Sequence, residues 1–465
     1  MAVIVWHRRD LRIFDNAALA RAGKEDKEII PLFIIDPFFF REERETCNDR
    51  IHFMVDCLED LDRQYRKRGT SLVIRYGNSK EVLKEIQEKY NAKIFFNRDT
   101  NMPFGFQRDA SVQDLNIESF DNDGIIRTEY DRRDWKKHIE KYMTSTCHQP
   151  SQYTPHQVKS TYNIQQLRKD FPKEKIKVPT GGRSAAIKRL KKFFTTIENY
   201  PSYISKPHKA EKYCSRLSAH LSFGCLSVRE IFQYIHSKDK RRFFSTRLYW
   251  NQHFTQKLED FKDLPYKTVN PLFEKNYDRL YAYDEKKITA WKEGRTGYPL
   301  VDASMRCLVK TGWLNFRMRA MVASFFCHIL RQPWKIGADF MHYHLIDADT
   351  AINYAQWQMQ ASLVGVHPHR IYNPTKQIID NDPQGEFIKE YVEELKDAPA
   401  TSLYTEPQQQ TLLVEYIPPI VNYEKEARKT RELFKELDTL AKQIIRQPHI
   451  LKRASLSRKK IITLP

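Results

Sequence analysis

The chain has 465 residues, long enough for two or three domains that each bury a core, and its 78 Lys and Arg against 59 Asp and Glu leave a net charge of +19. Such a balance favours a polyanionic partner, most simply nucleic acid. The seven cysteines (Cys47, Cys57, Cys147, Cys214, Cys225, Cys307 and Cys327) form no CxxC pair, which speaks against a disulfide framework or a zinc site and reads as reduced thiols of the cytoplasm, or of the nucleus if the source is eukaryotic.

Val3–Trp6, Ile29–Ile35, Ser71–Arg75 and Lys93–Phe96 are short β-branched or aromatic runs bounded by turn or charge signals, and they read as buried parallel strands. Between them, apolar residues at spacings of three and four predict helices, as at Ile51, Met54, Val55, Leu58 and Leu61 and again at Val82, Leu83 and Ile86. Strand and helix in alternation predict an open, Rossmann-like parallel sheet over residues 1–130, with ligands at the carboxyl ends of its strands. The opening Met-Ala-Val-Ile-Val-Trp-His-Arg-Arg-Asp meets charge too early for a signal peptide. Neither a GxGxxG turn nor a GxxxxGK[ST] loop occurs, so ordinary dinucleotide or nucleoside triphosphate binding finds no support. Residues 131–185 are polar, rich in Lys and Arg, and broken by Pro150, Pro155, Pro172 and Pro179, as expected of a connector lying across the surface. From Gly181-Gly182 onward the pattern turns helical, giving an all-helical domain over 186–407. Residues 408–465 read as a basic tail with Pro418-Pro419, a charged helix near 423–446, and Arg453, Arg458, Lys459 and Lys460. The longest apolar run, Met321–Leu330, is interrupted by His328 and is too short to span a bilayer.

Nucleophilic catalysis has no G-x-S-x-G elbow to rest on. His342-Tyr343-His344 and His367-Pro368-His369 lack carboxylate or thiol partners at ligand spacing, so no metal is expected. Five tryptophans (Trp250, Trp291, Trp313, Trp334 and Trp357) fall in the helical domain, four of them about 22 residues apart. Each alone is an ordinary core residue. Together with Arg317, Arg319, Asp347, Asp349 and Asn353 in the intervening segments, they look like a box for a planar, phosphorylated redox cofactor, because buried charges are costly unless paired or given a ligand.

These residues resemble the photolyase/cryptochrome family from Trp6 to about Pro407. The run Trp6 to Asn16 (WHRRDLRIFDN) is similar to the family's opening WFRxDLRxxDN, and Ser215 to Ser227 (SRLSAHLSFGCLS) to its flavin-phosphate loop SRLSPYLxxGxLS. Thr296-Gly297-Tyr298-Pro299 with Val301-Asp302-Ala303, then Asp347-Ala348-Asp349 with Asn353 and Trp357, follow in the family's order. The resemblance implies a U-shaped FAD in the helical domain and, in the α/β domain, an antenna site around Asn97-Arg98-Asp99-Thr100-Asn101-Met102 for a folate or a deazaflavin, its identity open. Position by position it implies that Ser215, Arg216, Leu217 and Ser218 bind the FAD phosphates, helped by Tyr203, and that Trp313 stands in the cofactor box. A Ser/Arg turn opening a helix offers hydroxyls, N–H groups and a positive dipole to a pyrophosphate. Asp347 is expected to pair with Arg319 beside the flavin, Asp349 to meet the adenosine or isoalloxazine side, and Asn353 to face flavin N5, where an amide can donate or accept. Trp357 and Trp334 match the first two members of the family's electron-donating tryptophan chain. The third position falls on Tyr281, so the outer donor is Tyr281 or lies elsewhere.

Departures concern the substrate. Family members that act on cyclobutane pyrimidine dimers carry a Glu three residues before the dimer-stacking Trp, an Asn three after the Gly-Trp tryptophan and a second stacking aromatic. Here Trp250 is preceded at that spacing by Arg247, Phe316 follows Trp313, and Met359 takes the aromatic's place. Lost polar contacts of this kind cost about 1–3 kcal/mol each. The paired histidines of a (6-4) photolyase are also missing around Asn315 and Phe316, while Trp250 remains to stack and Arg247 and Arg317 to meet phosphate or carbonyl oxygen. The expected function is light-driven repair of pyrimidine dimers in damaged DNA by electron transfer from reduced FAD, by a monomer and away from membranes. The rival is a cryptochrome-like blue-light receptor that does not repair.

Overall fold

The computed structural model describes residues 2–25, 28–100, 103–150, 152–239, 242–366, 369–404 and 415–456. Asn101 and Met102 of the expected antenna loop, His367-Pro368, and the basic Arg458, Lys459 and Lys460 lie outside the described residues.

Four of the six strands are the four apolar runs: β1 Val3–His7, β2 Glu28–Ile35, β3 Val73–Tyr76 and β4 Lys93–Asn97. Their side chains are buried on both faces, which is why they read as continuous rather than alternating apolar text. β5 (Ile117–Phe120) and the two-residue β6 (Thr154–Pro155) complete a sheet in the order β3-β2-β1-β4-β5, all parallel, with β6 pairing the start of β2 below β3. Strand order reverses between β1 and β4, so their carboxyl ends, at His7 and Asn97, open a crevice of the kind that receives ligands in such sheets.

The helical body begins at Arg183–Thr196 and is built around the helices Ser245–Asp260, Pro299–Thr311, Phe316–Ser324, Trp334–His344 and Thr350–Gln360. Gly312, at φ 67°, ends Pro299–Thr311 in the left-handed conformation that glycine adopts without strain. The Thr296-Gly297-Tyr298-Pro299 motif proves to be a structural turn: buried Asp302 accepts from Thr296 N (2.8 Å), Thr296 Oγ1 (2.6 Å), Gly297 N (2.9 Å) and Tyr416 Oη (2.7 Å).

Two segments differ from the sequence reading. The expected surface connector 131–185 folds into the helices Trp135–Thr144 and Gln165–Asp170 as well as β6, and Trp135, Ile139, Met143 and Leu167 are buried in a core shared by the two bodies. The expected separate tail is part of the helical body: the helix Tyr423–Ile444 buries Phe434, Leu437 and Ala441 in its main core, and Tyr416 reaches Asp302. Buried residues spaced by four in the first segment and by three and four in the second drive this docking, since an amphipathic helix gains most of its stability from packing one face.

The α/β and helical bodies are fastened by the residues of the opening motif. Leu11 N donates to Phe223 O (3.2 Å), Arg12 Nη1 to Gly224 O (2.8 Å) and Arg9 Nε to Ser222 O (2.8 Å). Buried Asp15 forms a bidentate ion pair with Arg229 on the helix Val228–Ile235, with Nε to Oδ2 at 2.9 Å.

Close packing also fixes the tryptophans. A Cβ placed on Gly337 would lie 2.3 Å from Cη2 of Trp357, a rigid ring that cannot swing aside. Gly337→Ala is therefore expected to destabilise by about 1–3 kcal/mol, read as a lowered denaturant midpoint with unchanged slope. A wild-type midpoint would mean that Trp357 does not pack on this helix.

Candidate functional site

Ser215 to Ser218, expected to meet the FAD phosphates, fold as a tight bend. Arg216 has φ 53°, a strained conformation for a residue with a side chain, and its guanidinium lies 3.9 Å from the Trp313 ring centroid. Burial pulls the Arg216 pKa down, against the pull of Glu211 and Asp347 upward. Ser215 Oγ accepts from Leu217 N (3.4 Å), Arg189 Nε donates to Ser215 O (2.7 Å), and Leu217 is buried beneath the bend. The helix that follows, Ser218–Ser222, has five residues, so the dipole expected there is short and the donors are chiefly Ser hydroxyls, N–H groups and Arg216. Tyr203 stacks on Tyr213 with centroids 4.5 Å apart.

Opposite this bend, Arg319 Nη2 donates to both oxygens of Asp347 (3.0 and 2.9 Å) and its Nε to Leu314 O (2.7 Å). Burial raises the Asp347 pKa, but Arg319, the Ser218 hydroxyl and Arg216 outweigh it and hold the carboxyl below its ordinary range. Asp349 caps the helix Thr350–Gln360 by accepting from Ile352 N (3.1 Å), and its other oxygen meets Arg9 at 3.3 Å. Arg50 and Ser222 both donate to Ala348 O (2.7 and 2.8 Å), so the Asp-Ala-Asp turn is clamped by one residue from the α/β body and one from the helical body. Arg9, Arg50 and Ser222 escape sequence reasoning because their partners lie 126 to 340 residues away. Asn353 Nδ2 donates to Ala338 O (2.9 Å), which orients the amide and turns its oxygen toward any donor in front of it.

Trp357 packs edge-on to Trp291, with centroids 6.0 Å apart, while Trp334 opens the helix Trp334–His344 on which Trp357 rests. Tyr281 is buried in the same core with its ring against Tyr277 (5.0 Å). At the surface, Trp250 and Phe316 are 37% and 42% exposed, high for such large apolar rings. Arg247, on the helix that carries Trp250, holds its guanidinium 5.7 Å from the Phe316 ring, and Arg317 donates to Tyr372 Oη (3.3 Å). Met359 is half-buried on the core formed by Phe254, Leu258, Ala351 and Ala355. Tyr372 and His253, the latter 5.1 Å from Trp250, join this face without having been anticipated.

A second cavity opens at the strand ends. About 1150 Å³ of empty space, open solvent at its mouth included, is lined by Trp6, Arg8, Phe38, Asp99, Phe104 and Arg108, with Phe38 and Phe104 stacked at 4.0 Å. Among the described residues no group of His, Cys, Asp or Glu is set to hold a metal ion, and no helix is long and apolar enough to cross a membrane.

Comparison with known proteins shows which family the chain belongs to. Residues 3–125 match the family described as DNA photolyase, and residues 243–436 the FAD binding domain of DNA photolyase. A solved structure of an archaeal photolyase from Sulfolobus tokodaii, described as holding two FAD molecules, is 30% identical with a TM-score of 0.81, covering 94% of this chain and 100% of that one. The chain belongs to the photolyase/cryptochrome family. The other relatives divide between its two branches. A deoxyribodipyrimidine photo-lyase of Synechococcus is 27% identical over 94% of this chain and 96% of its own, and a cryptochrome DASH of Arabidopsis thaliana 26% over 85% and 76%. A Synechocystis cryptochrome structure is 25% identical, with a TM-score of 0.81 over 93% of this chain and 98% of that one. FAD is the family's cofactor. The residues present fit it: cationic and hydroxyl donors at one bend, a carboxylate–guanidinium pair with its carboxylate buried, and at Asn315 a buried Oδ1 with no hydrogen-bond partner next to the Tyr203-Ile204 loop.

Proposed function

We propose that this chain uses FAD and blue light to split pyrimidine dimers in DNA. The observation that carries the reading is the exposed pair Trp250 and Phe316 with Arg247 and Arg317 beside them, on helices packed against those that bear Asn353 and Trp357. Aromatic faces stack on unpaired bases, and guanidinium groups meet phosphate or carbonyl oxygen. The net charge of +19 supplies the phosphate-directed part of binding. A dimer is cheap to extrude because its pairing is already impaired.

Bound FAD supplies light absorption and single-electron exchange. Around it, Ser215, Arg216 and Ser218 hold the phosphates with Leu217 as their buried floor and Tyr203 at the loop's edge. Arg319 and Asp347 fix each other beside the ring, Asp349 keeps its helix start rigid, and Asn353 presents an amide held by Ala338 O. Trp357 and Trp334 are electron donors. In the cavity at the strand ends we place a second, planar chromophore, between the stacked Phe38 and Phe104 and the guanidinium groups of Arg8 and Arg108.

The receptor reading retains one specific support: Arg247 and Phe316 stand on each other where dimer-splitting relatives place a carboxylate and an amide. Binding separates the two. An oligonucleotide with one thymine dimer is expected to bind more tightly than the undamaged strand, and Trp250→Ala to weaken the damaged complex by about 1–3 kcal/mol. Equal affinity for the two strands, unchanged by Trp250→Ala, would favour the receptor.

A further inference from the structure

Beyond the two donors just named, the electron path needs a last donor whose proton can reach solvent, since Trp334 is almost fully buried. We infer that Tyr354, with Asp339 as its proton acceptor, is the terminal electron donor of this chain. The inference rests on the reading of Trp357 and Trp334 as electron donors.

Tyr354 stands edge-on to Trp334, with centroids 6.4 Å apart at 82°. Its hydroxyl donates to Asp339 Oδ1 at 2.7 Å. The side chain of Asp339 is 47% exposed, so a proton received there passes to water. Lys335 holds the same carboxylate at 2.6 Å and lies 5.2 Å from the Tyr354 ring centroid. A positive charge so close opposes a cationic ring, which makes loss of the phenolic proton with the electron the favoured course. His342 stacks on the other side of Tyr354 at 5.7 Å, and burial first, then Arg50, draws its pKa down to about 3, so it adds no second cation at neutral pH. Glu45 and Tyr266 are the remaining titratable groups near the phenol.

The step balances as follows. An electron passes from Tyr354 to the Trp334 radical cation, left when Trp334 has refilled Trp357 and Trp357 has given an electron to the photoexcited flavin. The Tyr354 O–H bond breaks, and the proton forms an O–H bond on Asp339. The products are neutral Trp334, a neutral Tyr354 phenoxyl radical and protonated Asp339.

Tyr281 lacks these features. Among the described residues none accepts a hydrogen bond from its hydroxyl, whereas Tyr354, buried to the same degree, donates to Asp339.

The test is flash illumination of the FAD-loaded protein, followed by electron paramagnetic resonance with and without ring-deuterated tyrosine. A tyrosyl signal is expected in the wild type and in Tyr281→Phe, and its loss in Tyr354→Phe, where a tryptophan radical remains. In Asp339→Asn, which keeps the ring, the tyrosyl radical is expected to form more slowly and to lose its slowing in deuterated water. Thermal unfolding of both variants checks that the helix pair is intact. A tyrosyl signal that survives in Tyr354→Phe, or a wild type that shows tryptophan radicals alone, overturns the inference while leaving the flavin reading in place. A wild type with bound FAD and no light-induced radical overturns both.

Discussion

Gly224→Ala is expected to destabilise the protein by about 3–5 kcal/mol and to abolish FAD retention. A Cβ at this position would lie 1.9 Å from Arg9 O and 2.7 Å from Asp10 Cα, which are backbone atoms with no rotamer to change. The residue also has φ 65°, in the left-handed region that alanine enters at a cost of its own. Relief requires the bend between Ser222 and Cys225 to withdraw from the opening motif, which would strain or break the bonds from Leu11 N and Arg12 Nη1 and slacken the Arg9 contact with Ser222 O. Because Ser222 also holds Ala348 O, the loss spreads to the Asp347–Asp349 turn. Denaturant unfolding and the flavin-to-protein absorbance ratio check this together. A Gly224→Ala protein with the wild-type midpoint and full flavin would contradict the close approach of the two bodies.

Asp15→Asn is expected to cost about 3–5 kcal/mol, because it leaves the guanidinium of Arg229 buried and unneutralised. The pair is 6% and 0% exposed in its side chains, so solvent screens it little. Burial raises the Asp15 pKa, but the bonds from Arg229 and the nearby Arg12 outweigh it and hold the value below the ordinary 3.8. A carboxyl depressed in the folded state contributes stability that is fully present above its unfolded pKa and is lost as pH falls through the folded value. Asp10, Asp99 and Asp347 are depressed in the same direction, so the folded state is expected to weaken steeply below about pH 4. Asp382 acts oppositely: burial raises it to about 6, so its contribution is present below the unfolded pKa and is lost as pH rises through that value. Urea midpoints from acid to neutral pH should therefore fall on the acid side in the wild type, with a shallower fall in Asp15→Asn. Arg229→Met added to Asp15→Asn should recover part of the loss, and a double variant as unstable as the sum of both single variants would show that the two residues do not interact.

The parts of the fold that sequence made legible are those buried on two faces. β1 to β4 announce themselves as apolar runs, whereas β5, Ile-Glu-Ser-Phe, is a half-exposed edge whose polar centre hides it. The helix Trp135–Thr144 carries Trp135, Ile139 and Met143 at a spacing of four, a usable signal that the surrounding Lys and Arg obscured. Motif order pointed to the Ser215–Ser218 bend, the Arg319–Asp347 pair and the turn at Asp349, which the structure forms, because local sequence dictates local turns and caps. The clamp by Arg9 and Arg50 was not legible, since a long-range ion pair leaves no local periodicity. Tyr354 escaped for the same reason: beside Asn353 it reads as one more aromatic on a packing face, and its meaning comes from Trp334 and Asp339 on another helix.

The most direct measurement is to illuminate the anaerobically reduced, FAD-loaded protein with an oligonucleotide that carries one cyclobutane thymine dimer, and to quantify restored thymines against a dark control. Repair in the light and none in the dark is the predicted result, and it would establish that Trp250, Phe316 and Arg247 form a working dimer pocket without the usual carboxylate and amide. A protein that binds and photoreduces FAD while the dimer persists in both single and double strands would contradict the repair reading and leave the receptor in its place.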